Sequence, residues 1–242
     1  PGYGRGSRSR GALEMEYAAD GPEKAEEKIF KTGNTDPKGV QNIHVWYPAS
    51  MEEGKKYPLL IISNGMEFSC TSFIAILQHL ASWGFIAAGN DALNSGSGET
   101  AAKTLEKMLS ENEKQGSLFH DRIDLDHIGG IGYFQGGAGA IRQATISKNK
   151  DHYSALYLAS PMTLPFIEKA KAAAWSYDPS QITVPVFIAS GGDGIENGIL
   201  APKEDMEGIY QMVHNQTTIK RAIDYVREGR MQMYGACGFW QG

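Results

Sequence analysis

The chain is short of cysteine, of positive charge and of long apolar runs, and each shortage excludes a class of protein. Two cysteines in 242 residues, Cys70 and Cys237, are too few for a disulfide scaffold, and neither sits in a CxxC or Cys/His spacing that would hold zinc. Acidic residues outnumber basic ones, 28 to 23, so electrostatics gives no reason to expect nucleic acid or an anionic membrane surface as partner. No apolar run approaches the roughly 20 residues that span a bilayer, and no signal-peptide pattern is visible. The chain opens on Pro1 rather than Met, which leaves localisation open between a secreted protein with its signal removed and a cytoplasmic one. Hydrophobic residues at 41% and charged residues at 21% fit a soluble domain large enough to bury a core without disulfides.

Along the chain, residues 1–27 are rich in Gly, Ser, Arg and Glu with little periodicity, and read as an irregular arm frayed over Pro1–Arg10. From residue 28 to 242 strand and helix signals alternate as one domain. Ile43–Tyr47 alternates as a half-buried strand, Pro58–Ser63 is a continuous apolar run expected to be buried on both faces, Phe85–Ala88 reads as another buried strand, Ile128–Tyr133 as a third apolar strand, and Ala155–Ala159 and Val184–Ala189 as further strands. A final strand is expected at Ile219–Ile223. Helical spacing appears over Thr71–Trp83, Thr100–Glu113, Gly136–Ser147, Phe166–Trp175 and Pro202–Val213. Alternating strands and helices imply a mainly parallel, doubly wound α/β sheet with helices on both faces. Its functional loops are then expected beyond the C-terminal ends of the strands.

The most informative stretch is Gly130–Ala140, Gly-Ile-Gly-Tyr-Phe-Gln-Gly-Gly-Ala-Gly-Ala. It follows a buried strand and opens a small-residue helix. Its frame Gly132-Tyr133-Phe134-Gln135-Gly136 is that of a nucleophile elbow, G-x-S-x-G, with Phe134 where the serine belongs. Upstream, Tyr57–Asp91 reads YPLLIISNGMEFSCTSFIAILQHLASWGFIAAGND. Together with Asp124–Ala140 and Val184–Asp193, this block resembles the α/β-hydrolase superfamily, in particular its cutinase-like, polyester-degrading and dienelactone-hydrolase-like esterases. The resemblance runs from about Ile43 to Met231 and implies an α/β-hydrolase fold and carboxylic-ester hydrolysis.

That resemblance assigns positions one by one. Met66, after Ser63-Asn64-Gly65, and Gln135, after the elbow residue, would supply the two backbone N–H donors of an oxyanion hole. Asp193 falls at the acid position. The segment Val226–Met231 matches the histidine loop but puts Glu228 where the histidine belongs, and no histidine follows His214. A benzyl side chain cannot attack an ester. A glutamate cannot take and return a proton near neutral pH unless its pKa is raised substantially. The expected product is a degenerate triad: a weakly active or silent esterase scaffold that keeps a cleft for a small ester or apolar ligand. The alternative is an active ester or polyester hydrolase with an unconventional constellation. Neither metal nor other cofactor is expected. The glycine cluster at 136–139 lacks the Lys-Ser/Thr of a phosphate loop and is better explained by close helix–sheet approach.

The other candidates have plain readings. Cys70 and Tyr133 are the nearest alternative nucleophiles, and both are expected to point away from the acyl position. His120, His127, His152 and His214 fall in loops or helices remote from the acid loop. Ser95, Ser97 and Ser190 read as turn serines. Asp193 also reads as a turn aspartate, Glu228 as a solvated carboxylate beside Arg227 and Arg230, and Trp83, Trp175 and Trp240 as packing residues. In the fold that the resemblance implies, the loops bearing Cys70 and Cys237 rise from one edge. A bridge worth about 4–5 kcal/mol in the chain-entropy model stands there beside the reading of two separate thiols.

Overall fold

The apolar run PLLIIS does what its pattern demands: as strand β3 (Tyr57–Ser63) it lies in the middle of the sheet. The structure, a computed structural model, describes residues 12–191, 202–213 and 221–226, of which 12–14, 191 and 221–226 are described as backbone alone. Around β3 stand β1 (Ala25–Lys31), β2 (Asn42–Pro48), β4 (Ile86–Asn90), β5 (Ile123–Tyr133), β6 (Tyr153–Ala159), β7 (Val186–Gly191) and β8 (Arg221–Val226). Their order is β1-β2-β4-β3-β5-β6-β7-β8. β2 runs antiparallel to β1 and β4, and every pairing from β4 through β8 is parallel. The expected mainly parallel, doubly wound sheet is therefore present.

The helices are α1 (Ala12–Ala18), α2 (Ile74–Ser82), α3 (Glu99–Glu113), α4 (Gln135–Thr145), α5 (Leu164–Lys169) and α6 (Lys203–Met212). They cover the sheet from both sides because each strand sends alternate residues to opposite faces. On one side Trp46, Ile62 and Ala87 meet Leu77 and Ala81 of α2. On the other, Leu59, Ile61, Leu156, Leu158 and Ile188 meet Leu105 and Met108 of α3, Ile141 of α4, and Met206 and Ile209 of α6. On the α2 side, Tyr157 and Phe187 of neighbouring strands stack almost parallel, 5.6 Å apart. Among the described residues no helix is long and apolar enough to cross a membrane.

Three expectations are corrected. The arm over 1–27 is not irregular throughout. Its last part supplies α1 and the start of β1, and is tied to the domain where the Tyr17 ring packs on Trp83 at 4.8 Å. The Trp83 indole N–H donates to the Ala19 carbonyl at 3.0 Å, and the Gly21 N–H to Ser82 Oγ at 2.8 Å. β1 escaped notice because an edge strand is largely exposed and carries charge instead of an apolar run. The helix expected over Phe166–Trp175 shrinks to α5 and a 3₁₀ turn at Ala173–Trp175, interrupted at Lys171, whose φ of 54° cannot continue a helix. The helix at Thr71–Trp83 begins instead with a 3₁₀ turn, Cys70–Phe73, capped by Ser69.

The core assignment has a direct test. Leu158 is fully buried, whereas Ile146 at the end of α4 is 53% exposed. Leu158→Ala is expected to remove about 2–5 kcal/mol in urea denaturation, and Ile146→Ala to change stability by no more than about 0.5 kcal/mol. Equal losses would contradict the packing described.

Candidate functional site

β5 passes into α4 through a single residue, Phe134. Its backbone sits at φ 48°, ψ −110°, outside the regions open to L-residues, and a side chain there costs on the order of 1–3 kcal/mol. Three backbone hydrogen bonds impose the turn. The Phe134 N–H donates to the Ala159 carbonyl at 3.0 Å, and the Phe134 carbonyl accepts from the N–H groups of Met162 at 2.8 Å and Gly137 at 3.0 Å. The end of β6 thus grips the elbow from both sides, and the frame read from the sequence is the strained strand-to-helix turn it was expected to be.

The Phe134 ring is buried and packs edge-on against Phe166 of α5 at 5.4 Å, with the Tyr133 ring 6.5 Å away. The segment carrying Phe166 is fixed from behind: the Tyr177 hydroxyl donates to the Met162 carbonyl at 2.8 Å, and burial raises the Tyr177 pKa. No hydroxyl therefore stands at the crown of the elbow; an aromatic pair does.

The end of β3 and the loop after β4 lie against this turn by close backbone approach. A Cβ on Gly136 would lie 2.0 Å from the Ser63 carbonyl oxygen and 2.3 Å from that of Asn64, and one on Gly139 would lie 2.1 Å from the Ser95 carbonyl oxygen. Only glycine lets the start of α4 seat against the Ser63–Met66 loop and the loop that follows β4. Gln135 opens α4, so its N–H has no carbonyl one turn earlier within the helix to pair with. Met66 stands at the exposed tip of the facing loop.

Beside this turn lies a buried polar cluster that sequence reasoning missed. Ser95 opens a turn, its carbonyl accepting from the Gly98 N–H at 3.0 Å, as read from the sequence, but its side chain is buried. Its N–H donates to Gln135 Oε1 at 2.8 Å and its hydroxyl donates to the Asn64 carbonyl. Asn64 Nδ2 in turn donates to the carbonyls of Asn90 at 2.7 Å and Ala92 at 3.0 Å. Asn64 Oδ1 and Gln135 Nε2, both buried, have no partner among the described residues. These bonds join positions 31 and 40 residues apart, so no local pattern announces them. Ser97 is the turn residue it was read as, its hydroxyl accepting from the Glu99 N–H at 3.3 Å. Ser190, also read as a turn serine, is instead buried within β7.

The remaining candidates divide cleanly. Cys70 is fully buried on the α2 side of the sheet, and burial drives its thiol pKa upward, which removes the thiolate needed for attack. Tyr133 tilts between Phe73 and Phe134. His120 Nδ1 donates to the Asn112 carbonyl at 3.1 Å, and His127 pairs with Asp124; neither is at the elbow. His152 closes the short turn before β6 and is exposed. Asp193, His214, Glu228, Cys237 and Trp240 lie outside the described residues. No three His, Cys, Asp or Glu side chains among the described residues converge on a common point. A shallow polar depression of about 390 Å³, lined by Glu53, Ser117, His120, Asp121 and Arg122, lies by the start of β5, the end of that strand away from the elbow.

Comparison of the sequence with models of known protein families finds no match, and comparison with curated proteins finds none.

Strain at Phe134 predicts an inverted substitution order. Phe134→Ala loses the buried ring, at about 3–5 kcal/mol, and keeps the strained φ. Phe134→Gly loses the same ring but relaxes the backbone, less the roughly 0.5–1 kcal/mol of extra chain entropy that glycine surrenders on folding. The glycine variant is therefore expected to be more stable than the alanine variant by about 0.5–2 kcal/mol. Thermal or urea denaturation that ranked alanine above glycine would show the turn to be unstrained.

Proposed function

We propose that this chain is an α/β-hydrolase-fold protein of the carboxylic-ester hydrolase, cutinase-like class whose acyl-transfer chemistry has been lost, and that it binds a small ester or other apolar molecule at the C-terminal edge of its sheet. The observation behind this reading is Phe134. A strained strand-to-helix turn exists in hydrolases to lift a nucleophilic oxygen above the sheet. Here the turn persists, with its backbone cost, under a side chain that has no lone pair to offer. An unstrained connection, or glycine, would serve a purely structural junction better.

The chemistry follows from what stands at the turn. Acyl transfer needs an activated nucleophile and a base that accepts and returns its proton. The residue at the elbow supplies neither, and the buried Cys70 thiol does not replace it. Paired backbone N–H groups act on an oxyanion whatever side chains bear them. The donors of Met66 and Gln135 are thus the part of the machinery that survives the loss of serine, and alone they support at most about 10³–10⁴-fold over water. The aromatic surface of Phe134 and Phe166 suits an apolar group beside that polar point.

The reading is tested with purified protein on short p-nitrophenyl esters and with a serine-directed phosphonate probe. Neither turnover at ordinary esterase rates nor covalent labelling is expected, and either would end the hypothesis. Phe134→Ser alone is expected to stay silent, since Glu228 would have to act as base. Phe134→Ser with Glu228→His is expected to gain measurable ester hydrolysis. A double variant as inert as the parent would show that the base has been misplaced.

A further inference from the structure

The loop after β4 is bonded to the residues on either side of Met66 and to the side chain of Gln135, and is chemically unlike a passive connection. We propose that Ser95 is a positioning residue: it locks the Met66 loop and the elbow into one rigid anion-binding pair. This rests on the reading that the N–H groups of Met66 and Gln135 face a common anionic group.

Four observations carry it. The first is that Ser95 spends both of its donors on the two halves of the pair, its N–H on Gln135 Oε1 and its hydroxyl on the Asn64 carbonyl. The second is that the Met66 loop is held by the same β4 loop on both sides of Met66. Before it, Asn64 Nδ2 donates to the Asn90 and Ala92 carbonyls. After it, the Glu67 N–H donates to the Leu93 carbonyl at 3.0 Å, with Glu67 itself at φ 60°. The peptide that presents the Met66 N–H is therefore clamped at each end, and its orientation is inherited from residues 90–95. The third is that Gly139 brings the helix backbone onto the Ser95 carbonyl, where no side chain fits. The register of α4 against Ser95 is thus set sterically as well as by hydrogen bonds.

The fourth observation is energetic. Asn64, Ser95 and Gln135 are all buried, yet Asn64 Oδ1 and Gln135 Nε2 find no partner among the described residues. A half-satisfied polar cluster is a poor source of stability; apolar residues of the same shape would serve better. What it provides is direction, because hydrogen bonds fix the orientation of a peptide in a way that dispersion contacts do not. A pair of amides that must aim at one oxygen needs that direction, since preorganised donors act only when they are held in place beforehand.

The test uses the whole chain labelled with ¹⁵N, comparing wild type with Ser95→Ala and with Gln135→Met, which removes the acceptor of the Ser95 N–H at nearly constant volume and is read at the Met66 amide alone, where a displacement is likewise expected. Ser97→Ala, in the same loop, is the control. Methylphosphonate, a small dianion, is the probe. Ser95→Ala keeps the N–H bond to Gln135 and removes the hydroxyl bond to the Asn64 carbonyl, so the Met66 amide signal of the free protein is expected to move in Ser95→Ala and to stay in place in Ser97→Ala. The Met66 and Gln135 amide signals are both expected to titrate saturably with methylphosphonate in wild type, and the affinity to fall at least about tenfold in Ser95→Ala. A Met66 signal that stays put in Ser95→Ala, or an unchanged affinity, overturns the positioning role. A Met66 signal that moves while wild type shows no titration at these two amides upholds the role of Ser95 and overturns the anion-site reading on which it was built.

Discussion

The chain leaves the middle of its sheet through one residue that L-stereochemistry disfavours, and the C-terminal edge of the molecule is arranged to hold that residue there. Three backbone hydrogen bonds from Ala159, Met162 and Gly137 fix Phe134. The bare Cα of Gly136 lets the strand-3 loop close over the first turn of α4, and that of Gly139 admits the Ser95 carbonyl. Were the turn relaxed, α4 would enter at another angle, and neither the Ser63 and Asn64 carbonyls nor the β4 loop would meet it in this way. The strain at 134 and the close packing around it are thus two sides of one constraint.

That constraint belongs to the backbone, and this is why geometry and chemistry can part company here. Main-chain donors at a helix start and a loop tip persist whatever residues bear them, whereas nucleophilic attack requires one particular atom on one side chain. The turn carries a phenyl ring, which makes a buried contact with Phe166. On the function proposed, the result is a cleft with a polar point and an aromatic floor that can hold a ligand but has lost the means to cleave it. The buried cluster of Asn64, Ser95 and Gln135 differs in this respect, since its shorter hydrogen bonds each join a main-chain group to a side chain.

The sheet was legible because its inner strands appear as apolar runs; β3 through β7 all announce themselves in this way, although Tyr157 of β6 and Phe187 of β7 stand exposed on the α2 side. β1 does not, because an edge strand is partnered on one side and mostly exposed, and its Glu and Lys residues look like those of an arm. The extent of α5 was overread because its apolar spacing continues past Lys171, where a positive φ breaks the helix. At the site, Phe134 was found from a short, local frame of glycines. Ser95 was missed for the opposite reason: it stands in a stretch of Ser, Asn and Gly that resembles any surface turn, and its partners lie 31 and 40 residues away.

The sequence by itself determined which atoms are on offer at the elbow, because the chemistry of a side chain is a property of one residue and its frame is a property of its immediate neighbours. An aromatic ring at 134 and glycines at 132, 136 and 139 need no coordinates to be read. Only the tertiary structure decided that the ring is buried against Phe166, that Cys70 is sealed on the far side of the sheet, and that a serine in the β4 loop binds both neighbouring loops. Those contacts join segments brought together by the order and register of parallel strands, and strand order is set by the packing of the whole domain, not by any stretch of it alone.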